Sequence, residues 1–406
     1  MFRVTLATTM AFLSTYTLAH SDQPFDIESH SHTGLDSVLS QTRISAGLST
    51  SYRSDTVAEN SVWQIPGVLM GGDAHAPEKD FTLDDASLML DWKDPDGVFA
   101  GLEFSKHGDH DLELEEAYAG MDFEVTDHLS MEITAGSMKG AFSPENGTHA
   151  YQRPFSDNNL LFDAFYGGHY VDEGARLAMS SGNLTLGTEL WRGDQFPATS
   201  GTGGEAQDIY LYWLGQSDTI WWRLGGWIFH SRAENRKDDR LSDDHQHGTT
   251  TDTSVAAGIE FDGSQNAAGI HVTLGWILQD DWQLRLSGEV HQVKVDGNLT
   301  DSTRLATLEG RYNGYWIQPE LEFQQHQIAL RYATLNLDNH LIGAAGKSLA
   351  NDAGLTDMGQ NPEWLGLSYR YRLHENLALR LEWIENMTQE SDKNYGAVGV
   401  TWGASL

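Results

Sequence analysis

Short runs in which apolar and polar residues alternate recur along almost the whole chain. In Asn376–Trp383, NLALRLEW, leucine and tryptophan side chains fall on one face, while Arg380 and Glu382 fall on the other, and residues 283–291 repeat the pattern. Because successive side chains of a strand point to opposite faces, this alternation predicts β-strands with one apolar and one polar face. We expect about 16 strands, with about 18 as the alternative, since Asn313-Gly314 reads either as a hairpin turn or as part of one long strand.

The start of the chain and its composition indicate export. Residues 1–19 combine Arg3, an apolar run and small residues that end at Ala19, which predicts a signal peptide; a buried N-terminal helix is the alternative. Residues 20–40 are expected to form a mobile N-terminal tail or a short plug. The chain has no cysteine and therefore no disulfide framework, and its net charge of -34 argues against nucleic acid as a partner.

The apolar faces of the strands need a surface to contact. In a periplasmic all-β protein they would pack on one another, but here the opposite faces carry full charges of both signs. A closed barrel in the outer membrane of a Gram-negative bacterium satisfies both faces, since lipid covers the apolar face and water fills the lumen. We therefore predict an all-β, transmembrane antiparallel β-barrel over residues 41–406, in contact with outer-membrane lipid and lipopolysaccharide and inserted by the barrel-assembly machinery. Its aromatic girdles are expected to include Tyr210, Tyr212, Trp213, Trp221, Trp222 and Trp227.

The polar faces predict a lumen with charges of both signs, as a selectivity lining requires. The alternative is that these charges pair with one another and stiffen the wall, and both roles can hold. The expected pore-lining residues are Arg43, Glu116, Arg176, Arg223, Arg285, Glu289, Glu320, Arg331, Arg370, Arg380 and Glu382.

Histidines outside the strands raise the question of metal binding. The spacing of His245 and His247 would place both imidazoles on one face of a strand, which suits Zn²⁺. Weakly bound divalent cations are therefore a hypothesis, with no resident cofactor, at His107, His110, His245 and His247; solvated loop side chains are the alternative. The chain has no G-x-S-x-G motif, so we predict no catalytic residue and no enzyme activity.

Residues 143–174, SPENGTHAYQRPFSDNNLLFDAFYGGHYVDEG, match no regular secondary structure although they are rich in aromatic residues. Residues 135–146, AGSMKGAFSPEN, overlap the start of this stretch and resemble the G-R-F-K-x-P-F-G-x-E-N turn of the phosphate-selective porins O and P. Residues 188–197, TELWRGDQFP, look like the strand and the R-G-x-x-F-P loop of a porin-like outer-membrane family related to them.

This resemblance implies a channel of about 16 strands, often trimeric, whose third long loop bends into the lumen as a constriction. A loop packed against the inner wall would also explain the aromatic residues of the stretch. The candidate constriction residues are Glu145, Asn146, His149, Arg153, Asp157 and His169.

The chain departs from the phosphate porins in its charge, because lysine is sparse and the loops are acidic. A negative rim concentrates cations. We therefore predict a porin-like channel for passive diffusion of small hydrophilic solutes, favouring cations or a divalent metal such as zinc, with a homotrimer as one option for its assembly. The alternative is a non-conducting outer-membrane barrel that acts as a surface adhesin or stabilises the envelope.

Overall fold

A computed structural model describes most of the chain beyond the expected signal peptide. The described residues are 41–56, 63–108, 111–198, 205–238, 240, 258–279, 282–356, 361–388 and 393–405. The signal peptide predicted at residues 1–19 and the tail predicted at residues 20–40 lie outside them.

Within the described ranges the chain forms 16 strands and two short helices. The strands of the first half are β1 (Thr42–Arg53), β2 (Asp80–Lys93), β3 (Val98–Lys106), β4 (Glu113–Thr126), β5 (Leu129–Lys139), β6 (Val171–Ser181), β7 (Leu184–Trp191) and β8 (Glu205–Gln216). Those of the second half are β9 (Ile220–Arg236), β10 (Glu260–Gln279), β11 (Trp282–Thr300), β12 (Leu305–Phe323), β13 (His326–Ile342), β14 (Glu363–His374), β15 (Leu377–Asn386) and β16 (Lys393–Ser405).

Each strand pairs antiparallel with its neighbours in the chain, and the sheet closes where β1 meets β16. At this seam Ser45 lies opposite Ser405, and Arg53 lies opposite Ala397. Because the sheet closes, no described strand has a free edge. A bilayer allows no free edge, since lipid cannot form hydrogen bonds with exposed backbone groups. The predicted all-β antiparallel barrel of 16 strands is confirmed.

The alternative of 18 strands is wrong for the described barrel, which closes with 16. Asn313-Gly314 is not a hairpin turn: β12 continues through it, with Asn313 paired to Gln292 on one side and Asn336 on the other. Likewise β10 is one strand of 20 residues. Packing between two full-length neighbours therefore overrides a local turn signal.

The outer surface of the barrel carries the apolar face. Ile270 is 64 % exposed and Val290 is 58 % exposed. Other strands also expose aliphatic side chains, among them Leu330 and Leu381. At the end with the tight turns, the rings of Trp282 and Phe323 stack with centroids 4.7 Å apart, next to His326. An apolar band edged by aromatic rings is the surface that an outer membrane covers.

Part of the girdle prediction is wrong. Trp213 does face outward, but Tyr210, Tyr212 and Trp227 are 3 %, 8 % and 4 % exposed and turn into the barrel. Residues 209–214 are apolar or aromatic on both faces of the strand, and Ile209, Leu211 and Trp213 face lipid. The pattern alone could not tell which set would face lipid.

The barrel wall is taller on one side. Strands β10, β11 and β12 have 20, 19 and 19 residues, whereas about 10 suffice to cross the bilayer. Along the outer face of β11 the residues are apolar up to Val290 and polar from Gln292 onward. The upper parts of these strands therefore stand above the membrane.

Connections at one end of the barrel are tight turns, and those at the other end are longer. The connection between β5 and β6, residues 140–170, folds into the barrel and carries helix α1 (Leu160–Tyr166), capped by the Asn159 side chain, which accepts from the Leu161 amide. Helix α2 (Gly346–Asp352) lies between β13 and β14. Neither these helices nor any other described helix is long and apolar enough to cross a membrane.

Residues 63–79, between β1 and β2, lie on top of the inward loop. The contact is so close that a Cβ at Gly72 would lie 2.9 Å from Gly167 Cα, and both glycines have positive φ. Side chains at these positions would separate the two segments. The barrel thus holds two layers of chain inside its wall.

Candidate pore constriction

The inward loop, residues 140–170, is closed at its neck by one side chain. The amide nitrogen of Asn146 donates to the carbonyls of Gly140 and Tyr170, at 2.9 Å each, and its oxygen accepts from the Tyr170 amide at 2.6 Å. A buried amide that satisfies three backbone groups fixes where the loop leaves and re-enters the wall.

Helix α1 attaches one side of the loop to the wall by apolar packing. All of its residues are buried. The ring of Phe165 stacks on Tyr312 with centroids 6.0 Å apart and planes 8° apart, and Tyr166 meets Trp227 edge to face at 6.1 Å. Aromatic contacts of this kind add to the free energy of apolar burial, so this side of the lumen is filled by a hydrophobic core.

Carboxylates of the wall hold the loop by accepting hydrogen bonds from it and from Lys139, the last residue of β5. Each bond to an ionised acceptor is stronger than a neutral one. The bonds run from the Lys139 amide to Glu116 at 2.7 Å, from the Ala141 amide to Glu189 at 2.9 Å, from the Ser143 hydroxyl to Glu289 at 2.9 Å, and from the Ser156 amide to Glu382 at 3.1 Å.

Arginines of the wall hold the same loop by donating to its carbonyl groups. These bonds run from Arg370 to Tyr151 and from Arg380 to Ala150, at 3.2 Å each, and from Arg331 to Asp157 at 3.3 Å. In addition, the Asp157 carboxylate forms an ion pair with Arg53 at 3.1 Å. Many of the charges inside the barrel are therefore engaged with the loop.

A buried ammonium group joins the start of the loop to β3 and β4. Lys139 Nζ lies 3.0 Å from Glu115, 3.1 Å from Glu103 and 4.0 Å from Glu116, and its side chain is 4 % exposed. Three carboxylates around one buried cation leave a local negative excess, which draws further cationic groups.

Two histidines of the loop and one that directly follows β3 lie against these carboxylates. His149 Nε2 lies 3.0 Å from Glu103 and its Nδ1 3.5 Å from Asp85, while His169 lies 3.2 Å from Glu115 and His107 3.5 Å from the same carboxylate. Burial and the neighbouring ammonium lower the pKa of His149, but Glu103 and Asp85 outweigh them and raise it above its ordinary value. We call this group the Lys139 cluster: Lys139, Asp85, Glu103, Glu115, Glu116, His107, His149 and His169.

The predicted pore-lining residues fall into two groups, and their role in a pore stays a prediction. The buried ones are Glu116, Arg176, Glu289, Glu320, Arg331, Arg380 and Glu382. The exposed or partly exposed ones, all nearer the turn end, are Arg43, Arg223, Arg285 and Arg370. Only the second group is available to a passing solute without movement of the loop.

The predicted constriction residues also divide by exposure. Asn146, His149 and Asp157 are buried in the contacts that fix the loop. Glu145, Arg153 and His169 keep partial exposure. These three remain the candidates for contact with a solute at the narrowest point.

Of the predicted metal residues, only His107 is described; His110, His245 and His247 lie outside the described residues. Among the described residues, no group of three or more His, Asp or Glu side chains is arranged to hold a metal ion. His107 and His169 flank Glu115, with ring centroids 5.8 Å apart. Metal binding stays a hypothesis.

A bulge in β2, with the ion pairs that result from it, escaped sequence reasoning. Asp84 and Asp85 are adjacent in β2, so simple alternation would point one of them outward; a bulge opposite Ser49 and Thr50 turns both inward. Asp84 then pairs with Arg53 at 2.8 Å and Arg380 at 3.2 Å. Two adjacent carboxylates in an otherwise alternating strand were the available signal for this bulge.

Comparisons with known proteins agree with the fold. No family model and no curated protein sequence matches the chain. Among solved structures, a loop L8 deletion mutant of OmpT, an outer membrane protein of Vibrio cholerae, is similar with a TM-score of 0.53 and 9 % identity, covering 89 % of this chain and 99 % of that one. OmpF of Salmonella typhi in complex with daunomycin gives a TM-score of 0.51 and 12 % identity, covering 89 % and 97 %. OprB of Pseudomonas putida gives 0.50 and 11 %, covering 90 % and 93 %.

At such low identity the likeness concerns the fold. The chain forms a porin-like β-barrel, and together with the apolar belt this confirms the predicted location in the outer membrane. The relationship to phosphate-selective porins is not among these findings.

Proposed function

We propose that this protein is an outer-membrane channel for passive diffusion of small hydrophilic solutes. The observation that carries the proposal is the loop of residues 140–170. Charged side chains of the barrel wall and the apolar packing of helix α1 hold this loop inside the lumen. Partly exposed Glu145, Arg153 and His169 then line the remaining passage. A channel narrowed in this way selects solutes by size and charge.

We also propose that the barrel has no enzyme activity. The Ser143 hydroxyl, which lies close to His149 in sequence, donates to Glu289 at 2.9 Å, and His149 is engaged with Glu103 and Asp85. A nucleophilic serine would need a histidine within hydrogen-bond reach. This arrangement supports a structural role for both side chains.

The charge of the chain supports a preference for cations. The net charge is -34, and the Glu115 carboxylate lies beside His107 and His169, which are residue types that zinc binds. The ammonium of Lys139, 3.0 Å from the same carboxylate, would repel a cation, so we propose weak, exchangeable binding. Loss of zinc binding in a variant with His107→Ala and His169→Ala, measured by calorimetry, tests this part.

The turn motif at residues 135–146 supports a distant relationship to the phosphate-selective porins and, with it, a homotrimer embedded in lipid and lipopolysaccharide. Native mass spectrometry of the protein extracted in mild detergent tests the assembly: a monomer alone would contradict it.

A non-conducting barrel that serves as an adhesin or stabilises the envelope is the second candidate. The observation that favours it is the upper layer of residues 63–79, where the Gly67 carbonyl accepts from Asn339 at 2.7 Å and the Trp63 carbonyl from Arg240 at 3.0 Å. A covered lumen would pass nothing.

Planar-bilayer recording of the pure protein separates the two candidates. We expect discrete current steps, and in a salt gradient a reversal potential of cationic sign. Absence of steps contradicts the channel, and an anionic reversal potential contradicts the cation preference alone.

A further inference from the structure

Arg223 stands apart from the other arginines inside the barrel. It lies on the inner face of β9, near the turn end, and is partly exposed. Its guanidinium carbon lies 4.9 Å from the ring centroid of Tyr212. Among the described residues it has no carboxylate within ion-pair distance, and its Nε has no hydrogen-bond partner, whereas Arg285 nearby pairs with Glu320.

Two buried side chains beside Arg223 also lack partners within the described structure. Tyr212 is 8 % exposed and His271 is 3 % exposed, with ring centroids 5.1 Å apart. The Tyr212 hydroxyl and both ring nitrogens of His271 have no hydrogen-bond partner there. Buried polar groups are rarely left unbonded, so these atoms have unused hydrogen-bonding capacity beside Arg223.

The neighbouring positions complete the same patch of inner wall. Thr273 pairs with Arg223 across β9 and β10, and Ser287 pairs with Thr273 across β10 and β11. Trp221, also expected in a girdle, turns inward and covers Gly275, where a Cβ would lie 2.1 Å from its ring, and its indole N–H has no partner among the described residues.

We propose that Arg223, Tyr212, His271 and Trp221 form a binding site for a small aromatic carboxylate on the turn-end side of the loop. The inference rests on the proposed channel and not on its proposed cation preference, because the solute must only reach the lumen, and it names one class of solute.

The balance of donors and acceptors selects an anion. Arginine and tryptophan only donate, and a tyrosine hydroxyl and one imidazole nitrogen donate as well. Glu289, which lies opposite His271 on β11, is already engaged with Trp227 at 2.8 Å and with the loop. A carboxylate fits a guanidinium fork by two parallel hydrogen bonds, and a ring attached to it would lie against Trp221.

Binding of benzoate to the pure protein in micelles, followed by ligand-observed NMR, tests the site. Arg223→Gln removes the two hydrogen bonds between the guanidinium and the carboxylate of benzoate, so it should weaken benzoate binding about tenfold or more. Tyr212→Phe, which keeps the ring and removes the hydroxyl, should weaken it a few-fold. Benzamide, the neutral isostere, should not bind, and acetate should bind more weakly than benzoate.

The matched control is Arg372→Gln. Arg372 is also inside the barrel near the turn end, but it already lies 3.9 Å from Glu322, so its loss should change benzoate binding less than twofold. Equal losses for Arg223→Gln and Arg372→Gln would overturn the site in favour of a general charge effect. Unchanged binding in both Arg223→Gln and Tyr212→Phe would overturn it as well.

The result of the benzoate experiment can be distinguished from the result of the test for a channel. Benzoate binding without conductance would leave the site standing and contradict passive diffusion. Conductance without benzoate binding would contradict the site alone. If Arg223→Gln did not fold, as judged by its heat-dependent mobility on gels, Tyr212→Phe would still decide.

Discussion

Replacing Lys139 with methionine should release the inward loop. The substitution keeps the length of the side chain and removes the ammonium that lies 3.1 Å from Glu103 and 3.0 Å from Glu115. Removing one partner of a buried ion pair costs about 3–5 kcal/mol, because the other charge stays buried without compensation. Lys139 ends β5 directly before the loop, and its ammonium lies 3.1 Å from Nε2 of His149 in the loop. If the whole cost falls on the attachment of the loop, it corresponds to about a 100-fold to 4000-fold rise in the detached population.

The natural absence of cysteine allows a direct assay. Ala150, 8 % exposed beside His149, is replaced by cysteine, and the rate of labelling by a bulky maleimide reports the open population when closing is fast. Lys139→Met should raise this rate about 100-fold or more. Lys347→Met, at an exposed position of α2, is the control and should leave it unchanged.

The effect should depend on pH through His149. Its pKa is raised, so protonated His149 contributes fully below about pH 6.5, and this contribution is lost as the pH rises through the raised pKa. Lys139→Met should therefore release the loop more at pH 9 than at pH 6. A labelling rate within about threefold of the parent at both pH values would refute the reasoning.

Further changes test other contacts. Burial raises the pKa of Asp163 to about 7, so the attachment of the loop should lose stability as the pH rises from about 4 through 7. Asp163→Asn stays neutral and should therefore slow labelling of the cysteine at position 150 more at pH 8 than at pH 5. An equal effect at both pH values would contradict this. Phe165→Ala removes a side chain that is 1 % exposed and stacked on Tyr312, at a cost of about 3–5 kcal/mol, and should expose the loop to chymotrypsin; full resistance would argue against the apolar anchor. Glu145→Gln should shift the reversal potential toward anions and Arg153→Gln toward cations, and shifts of the same sign would exclude both from the constriction.

The fold was predictable because the alternation fixes two faces at once. In Leu377–Asn386 the charged side chains of one face need water, so the apolar side chains of the other face can only contact lipid. A sheet in a bilayer must then close into a barrel, because lipid cannot satisfy the backbone groups of a free edge. The strand number was less certain, since Asn313-Gly314 carries a hairpin signal that only the long neighbouring strands β11 and β13 overrule.

The site was predictable in outline and not in its contacts. The aromatic content of residues 143–174 and the porin-like motif indicated an inward loop. That Glu289 and Glu382 would hold it, however, depends on which wall position faces which loop residue, and this is a long-range property. The role of Lys139 was missed because one lysine at a strand end has no local signature, and the bulge at Asp84 was missed because alternation assumes that there is none.

Single-channel recording of the pure wild-type protein beside its Lys139→Met variant tests the central claim most directly. If the fixed loop constricts an open barrel, the wild type should show small, steady current steps, and the variant larger and noisier ones at the same voltage. No steps in either protein, or identical steps in both, would contradict a channel narrowed by this loop.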